Sequence, residues 1–122
     1  MPRDPSEVLD EDRIRLTHML DSARRARRFC TGKAREDLER DDLLLFAVLK
    51  AIEVIGEAST KISEDTRTRL PAIDWLAVRR TRNRLIHGYD TINTAIVWET
   101  VRLSLGPLID ELERILAAWP SV

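Results

Sequence analysis

The densest chemistry in this chain sits in Arg82-Asn83-Arg84-Leu85-Ile86-His87-Gly88-Tyr89, which joins guanidinium, carboxamide and imidazole groups to the only tyrosine of the sequence. An imidazole titrates at about pH 6.5 and exchanges a proton near neutrality, and a guanidinium offers phosphate oxygens a planar fork of donors. That pairing suits cleavage of RNA. The ribose 2′-hydroxyl attacks the adjacent phosphate, a step that calls for a base, an acid and a cation over the developing charge. One such His and one such Arg per chain are few for the task, and a twofold dimer would supply both proton-transfer groups. On a regular helix Asn83 and His87 lie about 40° apart, whereas Arg82 and His87 are separated by about 140°. Asn83 is then the natural neighbour of His87, and Arg82 joins them through its long side chain or in a groove shared with another helix or subunit. Taken singly, each has a structural reading as well: Arg82 as a surface or packing arginine, His87 as a group favoured by the end of a helix dipole.

The elements that must position these residues are read from the rest of the chain. Its 122 residues, 34% charged and 43% hydrophobic, fit one soluble domain spanning residues 1–122. No apolar run approaches the roughly 20 residues that cross a bilayer, and Met1-Pro2-Arg3-Asp4-Pro5-Ser6-Glu7 is charged rather than signal-like. A cytoplasmic protein without a membrane anchor is expected. The lone Cys30 excludes an internal disulfide, and with only His18 and His87 no recognised Cys/His metal spacing is available. Gly-rich phosphate loops are missing too, so no cofactor is expected. Net charge is −1, but Trp75 to Tyr89 holds Arg79, Arg80, Arg82 and Arg84 and no acid. A local basic site stands on an otherwise acidic chain.

Apolar residues at steps of three and four predict a first helix over Glu11–Cys30, through Leu16, Met19, Leu20, Ala23 and Ala26, stopped by Thr31-Gly32. Its other face carries Arg24, Arg25, Arg27 and Arg28, a solvated face with RNA-backbone contact as the lesser alternative, and His18 reads as structural. Lys33 to Arg40 is expected to be a loop or loose turn. Asp41 or Asp42 caps a helix that is apolar on most of its circumference and must be covered by neighbours or a second subunit. Its exceptions, Lys50, Glu53, Glu57 and Lys61, form one polar stripe: a solvated face with ion pairs, or, in the functional reading, a stripe that turns Glu53 or Glu57 toward a polar cleft. A short helix starts at Ser63-Glu64-Asp65 and ends before Pro71, and Asp74 caps another that runs from Trp75 to Gly88. The last helix begins near Asn93 or Thr94 and carries the seam Trp98, Val101, Leu105, Leu108, Leu112, Ile115 and Trp119, with a kink expected at Gly106-Pro107. The predicted architecture is all-α: an antiparallel bundle of four main helices plus a short extra one.

Arg82, four residues, His87, one residue, Tyr89 resembles the motif of HepT-like toxins of the HEPN superfamily, helical ribonucleases paired with a minimal nucleotidyltransferase antitoxin of the MntA type. The resemblance extends over Asp12–Asp21, Ile55-Gly56-Glu57-Ala58, Pro71-Ala72-Ile73-Asp74-Trp75 and Trp98, in order. It implies the toxin component of a type VII toxin-antitoxin system, a metal-independent endoribonuclease with Arg82 and His87 catalytic at a homodimer cleft. It further implies that Tyr89 accepts AMP from the antitoxin, and it suggests that Asn83 orients His87 or touches substrate. Asp90-Thr91-Ile92-Asn93 after the tyrosine departs from the aromatic or glycine often found there, and the acid bears on phosphate binding or antitoxin recognition. The alternative function is a non-catalytic helical subunit that presents substrate or nucleotide to a nucleotidyltransferase.

Overall fold

The computed structural model describes residues 3–87 and 91–121, residue 87 through its main chain. The chain folds as an all-α bundle with one minimal hairpin. Helix α1 spans Pro5–Cys30 and starts earlier than its apolar periodicity predicts, because Asp4 accepts a hydrogen bond from the Ser6 amide at 2.8 Å and Pro5 tolerates the first turn. The bonds from Ser6 also hold the Asp4 carboxyl below the usual carboxylate range. Beyond the helix, Gly32 takes φ +74°, a conformation that costs glycine little. The expected loop at Lys33–Arg40 is instead a second helix, α2, over Arg35–Arg40. Two local devices offset its short length: the Asp37 carboxylate accepts the Ala34 amide at 2.8 Å, and Leu38 is fully buried.

Helix α3, Asp42–Thr60, is capped by Asp41, whose carboxylate accepts the Leu44 amide at 3.1 Å. It is central, packing against α1 on one side and α5 on another. Leu44, Leu45, Val48, Ile52 and Ile55 are buried, yet Leu43 and Phe46 remain 82% and 60% exposed, so coverage of this helix by its own chain is incomplete. The short helix α4, Glu64–Arg69, follows as expected, with Ser63 as its cap.

Helix α5, Trp75–Leu85, ends three residues before the predicted stop at Gly88. Ile86 is already extended, and Ile86–His87 (β1) pairs antiparallel with Thr91–Ile92 (β2) in the register Ile86 to Ile92 and His87 to Thr91. With two residues each, these pieces leave the predicted all-α class intact. The chain then runs through α6 (Thr94–Glu99), a π-helical turn (Thr100–Ser104) and α7 (Leu105–Ala117) as one rod. The irregularity expected at Gly106-Pro107 falls just before it: the Leu105 amide reaches back five residues to the Thr100 carbonyl. Widening the turn is one way to accommodate a proline that lacks the next amide donor. The seam is largely as read, with Val101, Leu105, Leu112 and Ile115 buried, joined by Val97 and Ile109. No helix among the described residues is long and apolar enough to cross a membrane.

The ends of the bundle are tied by polar bonds. Asp12, 2% exposed, accepts from the Ser63 amide at 2.9 Å, the Ser63 hydroxyl at 2.6 Å and the Thr66 hydroxyl at 2.6 Å. This joins the start of α1 to the start of α4 and fixes α1 antiparallel to α3. A buried carboxylate is tolerated only when its lone pairs are met, and here three donors meet them. Asp12→Ala strands those donors and should lower unfolding free energy by about 2–4 kcal/mol, read as a lower urea midpoint with an unchanged slope.

Candidate functional site

Helix α5 carries the candidate chemistry on little apolar support. Leu85 is its one buried residue, at the last turn. At the first turn the Asp74 carboxylate accepts the Ala77 amide at 3.0 Å, and the Trp75 indole donates to the Leu70 carbonyl at 2.9 Å. Along its length α5 lies close to α3: a methyl group at Gly56 would stand 3.6 Å from the Val78 carbonyl. After Leu85 the Asn93 amide returns to the Leu85 carbonyl at 2.8 Å and closes the hairpin. The Asn93 side chain in turn caps α6 by accepting the Ile96 amide at 3.1 Å. One residue thus ends the motif segment and begins the next helix.

Arg82 is exposed on α5, about 40° around the helix from Val78, and pairs with no carboxylate among the described residues. Asn83 is exposed on the far face. The helical angle that made Asn83 the natural neighbour of His87 does not apply, because the helix stops before His87 and residue 87 is extended opposite Thr91. His87 enters the site from a strand. Its side chain, and with it the convergence with Arg82, lies outside the described residues, as do Gly88, Tyr89 and Asp90.

Two hollows flank α3. The first, about 280 Å³, lies between α3, α5 and the π-helical turn, lined by Ile52, Ile55, Val78 and Leu105 with Thr81 and Arg84 at its polar side. Leu76 and Leu103, 46% and 60% exposed, leave more apolar surface on α5 and on the π-helical turn. The second, about 410 Å³, is a polar cleft between α1 and α3. Glu53 and Glu57 line it, with Arg15, His18, Lys50 and Lys61. The stripe on α3 therefore does face a polar cleft, while Lys50 and Glu53 also form an ion pair at 3.9 Å. His18, read from sequence as structural, is an exposed residue of this cleft. Arg15 and His18 were legible in principle: they stand off the Leu16, Met19, Ala23 stripe at a spacing of three. Among the described residues no group of three His, Cys, Asp or Glu side chains gathers as metal ligands would. Cys30 is buried on α1, which pushes its thiol up and makes it a poor nucleophile.

Comparison with known proteins adds an independent line. The family model described as Ribonuclease HepT-like matches residues 19–115. A protein of Thermococcus cleftensis named as a probable ribonuclease HepT is 36% identical over 80 residues, covering 66% of this chain and 73% of its own. A protein of Methanocaldococcus jannaschii named as a candidate RNase is 31% identical over 98 residues, covering 80% and 90%. Another so named, from Caldanaerobacter subterraneus subsp. tengcongensis, is 31% identical over 85 residues, covering 70% and 76%. No solved structure matches.

Because α5 relies on its ends, Asp74→Ala should cost about 1 kcal/mol of stability through the lost cap. Amide exchange should show the added fraying in Trp75–Val78 before it appears in α3.

Proposed function

The chain belongs to the HepT-like ribonuclease family, and from that premise we propose that it cleaves RNA endonucleolytically, with Arg82 and His87 at a cleft completed by a second copy. The observation that carries the reading is the local build of the motif. A guanidinium with no carboxylate partner among the described residues stands on an acid-free basic helix, and the hairpin that follows contains the histidine. A flexible cation on a clamped helix next to a short strand is a reasonable way to bring a phosphate between two side chains of different elements.

In the proposed reaction one imidazole takes the proton of a ribose 2′-hydroxyl as its oxygen attacks the adjacent phosphorus. The bond from phosphorus to the 5′-oxygen breaks, and the imidazole of the second copy gives that oxygen its proton. Arg82 faces the negative charge that builds on the equatorial phosphate oxygens. No metal takes part. Asn83 orients the histidine of the site or contacts the substrate. The apolar hollow beside α5 and, apart from it, the exposed Leu76 and Leu103 support burial of apolar surface on α5 and the π-helical turn against another protomer. Glu53 and Glu57 line a separate cleft and are given no share in bond cleavage.

The proposed biological setting is a cytoplasmic toxin, formed by the single domain of residues 1–122 and neutralised by an MntA-like nucleotidyltransferase. In that step the Tyr89 phenol oxygen attacks the α-phosphate of ATP, pyrophosphate leaves, and Tyr89 carries AMP. An anionic nucleotide two residues from His87 fills the groove and repels an RNA phosphate.

Purified protein should cut RNA in the presence of a chelator, and His87→Ala and Arg82→Ala should each lower the rate by at least about 100-fold with unchanged thermal stability. Equal survival of RNA with wild type and His87→Ala would favour the non-catalytic binding subunit instead. Incubation with the nucleotidyltransferase and ATP should add the mass of one AMP to the peptide bearing Tyr89 and none to Tyr89→Phe. Labelling of another peptide would overturn the modification.

A further inference from the structure

The motif helix is not the most basic stretch of the chain. Ser22 to Arg35 holds Arg24, Arg25, Arg27, Arg28, Lys33 and Arg35 and no acid. With the four arginines of Trp75–Tyr89, two acid-free runs contain ten of the 20 cations, and the other ten share the rest of the chain with all 21 acids. Charge is therefore segregated into two runs rather than mixed along the surface.

The fold brings both runs to one end of the bundle. The first occupies the last turns of α1 and the lead into α2. The second ends in the hairpin, where Asn93 bonds to Leu85 and the adjacent Thr94 hydroxyl meets the Glu39 carboxylate of α2 at 3.4 Å. Both basic runs thus end beside α2. That helix carries Glu36, Asp37 and Glu39, with Asp41 and Asp42 directly after it, so a nucleic-acid strand joining the two runs must pass around this acidic segment rather than across it.

On α1 the four arginines fall within an arc of roughly 160° and are spread over roughly 6 Å of the helix axis, the length of about two phosphate steps of a nucleic-acid strand. All four are exposed. Arg24 pairs with Glu113 at 3.6 Å, and the Arg28 guanidinium lies over the Phe29 ring at 5.7 Å. Among the described residues Arg25, Arg27 and Arg28 have no carboxylate within ion-pair distance. Ring contact leaves the Arg28 donors available. A chain with an excess of acids has held these guanidinia apart from them.

We propose that this arginine face of α1 is a second RNA-backbone contact, holding the part of a substrate that extends beyond the cleavage site around the α2 end of the bundle. The proposal rests on the ribonuclease reading for its choice of partner. Its chemistry is phosphate neutralisation, and it carries no base readout. It also sets a length. The diagonal of a four-helix bundle plus an arginine at each corner is on the order of 25 Å, so a strand of a few nucleotides reaches one basic surface and a strand of about 20 reaches both.

The test uses the full chain and fluorescent 2′-O-methyl RNA, which lacks the attacking hydroxyl and so reports binding without cleavage. Anisotropy is measured from about 50 to 200 mM salt for a strand of about 20 nucleotides and one of about 4. For the long strand, Arg25→Gln/Arg28→Gln should weaken binding about tenfold and reduce the salt slope by about 1.4, two single-strand phosphate contacts. The short strand should lose much less. Arg69→Gln on α4, at the opposite end of the bundle, should match wild type. An unchanged slope for the double variant, equal losses on both strands, or no binding of the long strand by wild type would each overturn the proposal. Binding of polyglutamate with the same arginine dependence and higher affinity would assign the face to an acidic protein and overturn it as well. Cleavage lost in His87→Ala with normal slopes in Arg25→Gln/Arg28→Gln defeats this inference alone. Slopes that fall as expected in a protein that cuts no RNA defeat the ribonuclease reading alone.

Discussion

A helix with four arginines and a single buried side chain has little reason to stay docked, and the candidate site depends on how α5 is nevertheless held. The restraints are at its ends. Asp74 and Trp75 secure the start, Leu85 is sunk into the core at the finish, and the Asn93 amide bonds to the Leu85 carbonyl from beyond the hairpin. Between these points the exposed arginines keep full access to solvent. Confining the apolar contact at mid-helix to one face, through the half-buried Val78, frees the rest of the surface for an anionic partner, and caps and anchors at the ends carry much of the load.

The same division of labour recurs across the bundle. α3 supplies more buried apolar residues than any other helix and no proposed cleavage group; α1 and α5 flank it. The buried Asp12 fixes the α4 end through Ser63 and Thr66, whereas the other end is closed by α2 and by weak exposed contacts such as Thr94 with Glu39. The stiffer, satisfied polar network is thus remote from the basic end. A site that must accept a long polyanion lies where fewer buried bonds need to be preserved.

Periodicity made the main helices legible because burial of one face repeats at three and four residues, as in Leu16, Met19, Ala23 and Cys30 or in Val101, Leu105, Leu112 and Ile115. Caps at Asp41, Ser63, Asp74 and Asn93 were equally visible, since a short polar side chain ahead of an apolar run has a direct local role. The misses are tertiary. α2 has one buried residue and no stripe to read, and it exists because Leu38 has a place in the core. Gly88 looked like the stop for α5, but the pairing of Ile86 with Ile92, in strands too short to show an alternating pattern, ended the helix sooner. Of the candidate site, the basic helix and the exposure of Arg82 and Asn83 follow from sequence, while the phase argument linking Asn83 to His87 failed with the helix that it assumed. His18 was underrated because a lone histidine has no pattern until the facing helix supplies Glu53 and Glu57.

The π-helical turn at Thr100–Ser104 lets this rod carry one residue more than a regular helix of the same alignment would. Buried residues Val97, Val101, Leu105 and Ile109 follow one another at steps of four, and in an unbroken α-helix that spacing would rotate the apolar line by about 40° at each step. The wider turn takes up that rotation, so the line runs straight along the core. A chain one residue shorter here would space the line at steps of four, three and four, regain regular hydrogen bonding and keep every later side chain on its present face. The irregular turn therefore acts as a splice that hides one surplus residue, and the half of the rod that borders the candidate site keeps a common apolar line with the half that packs on α1.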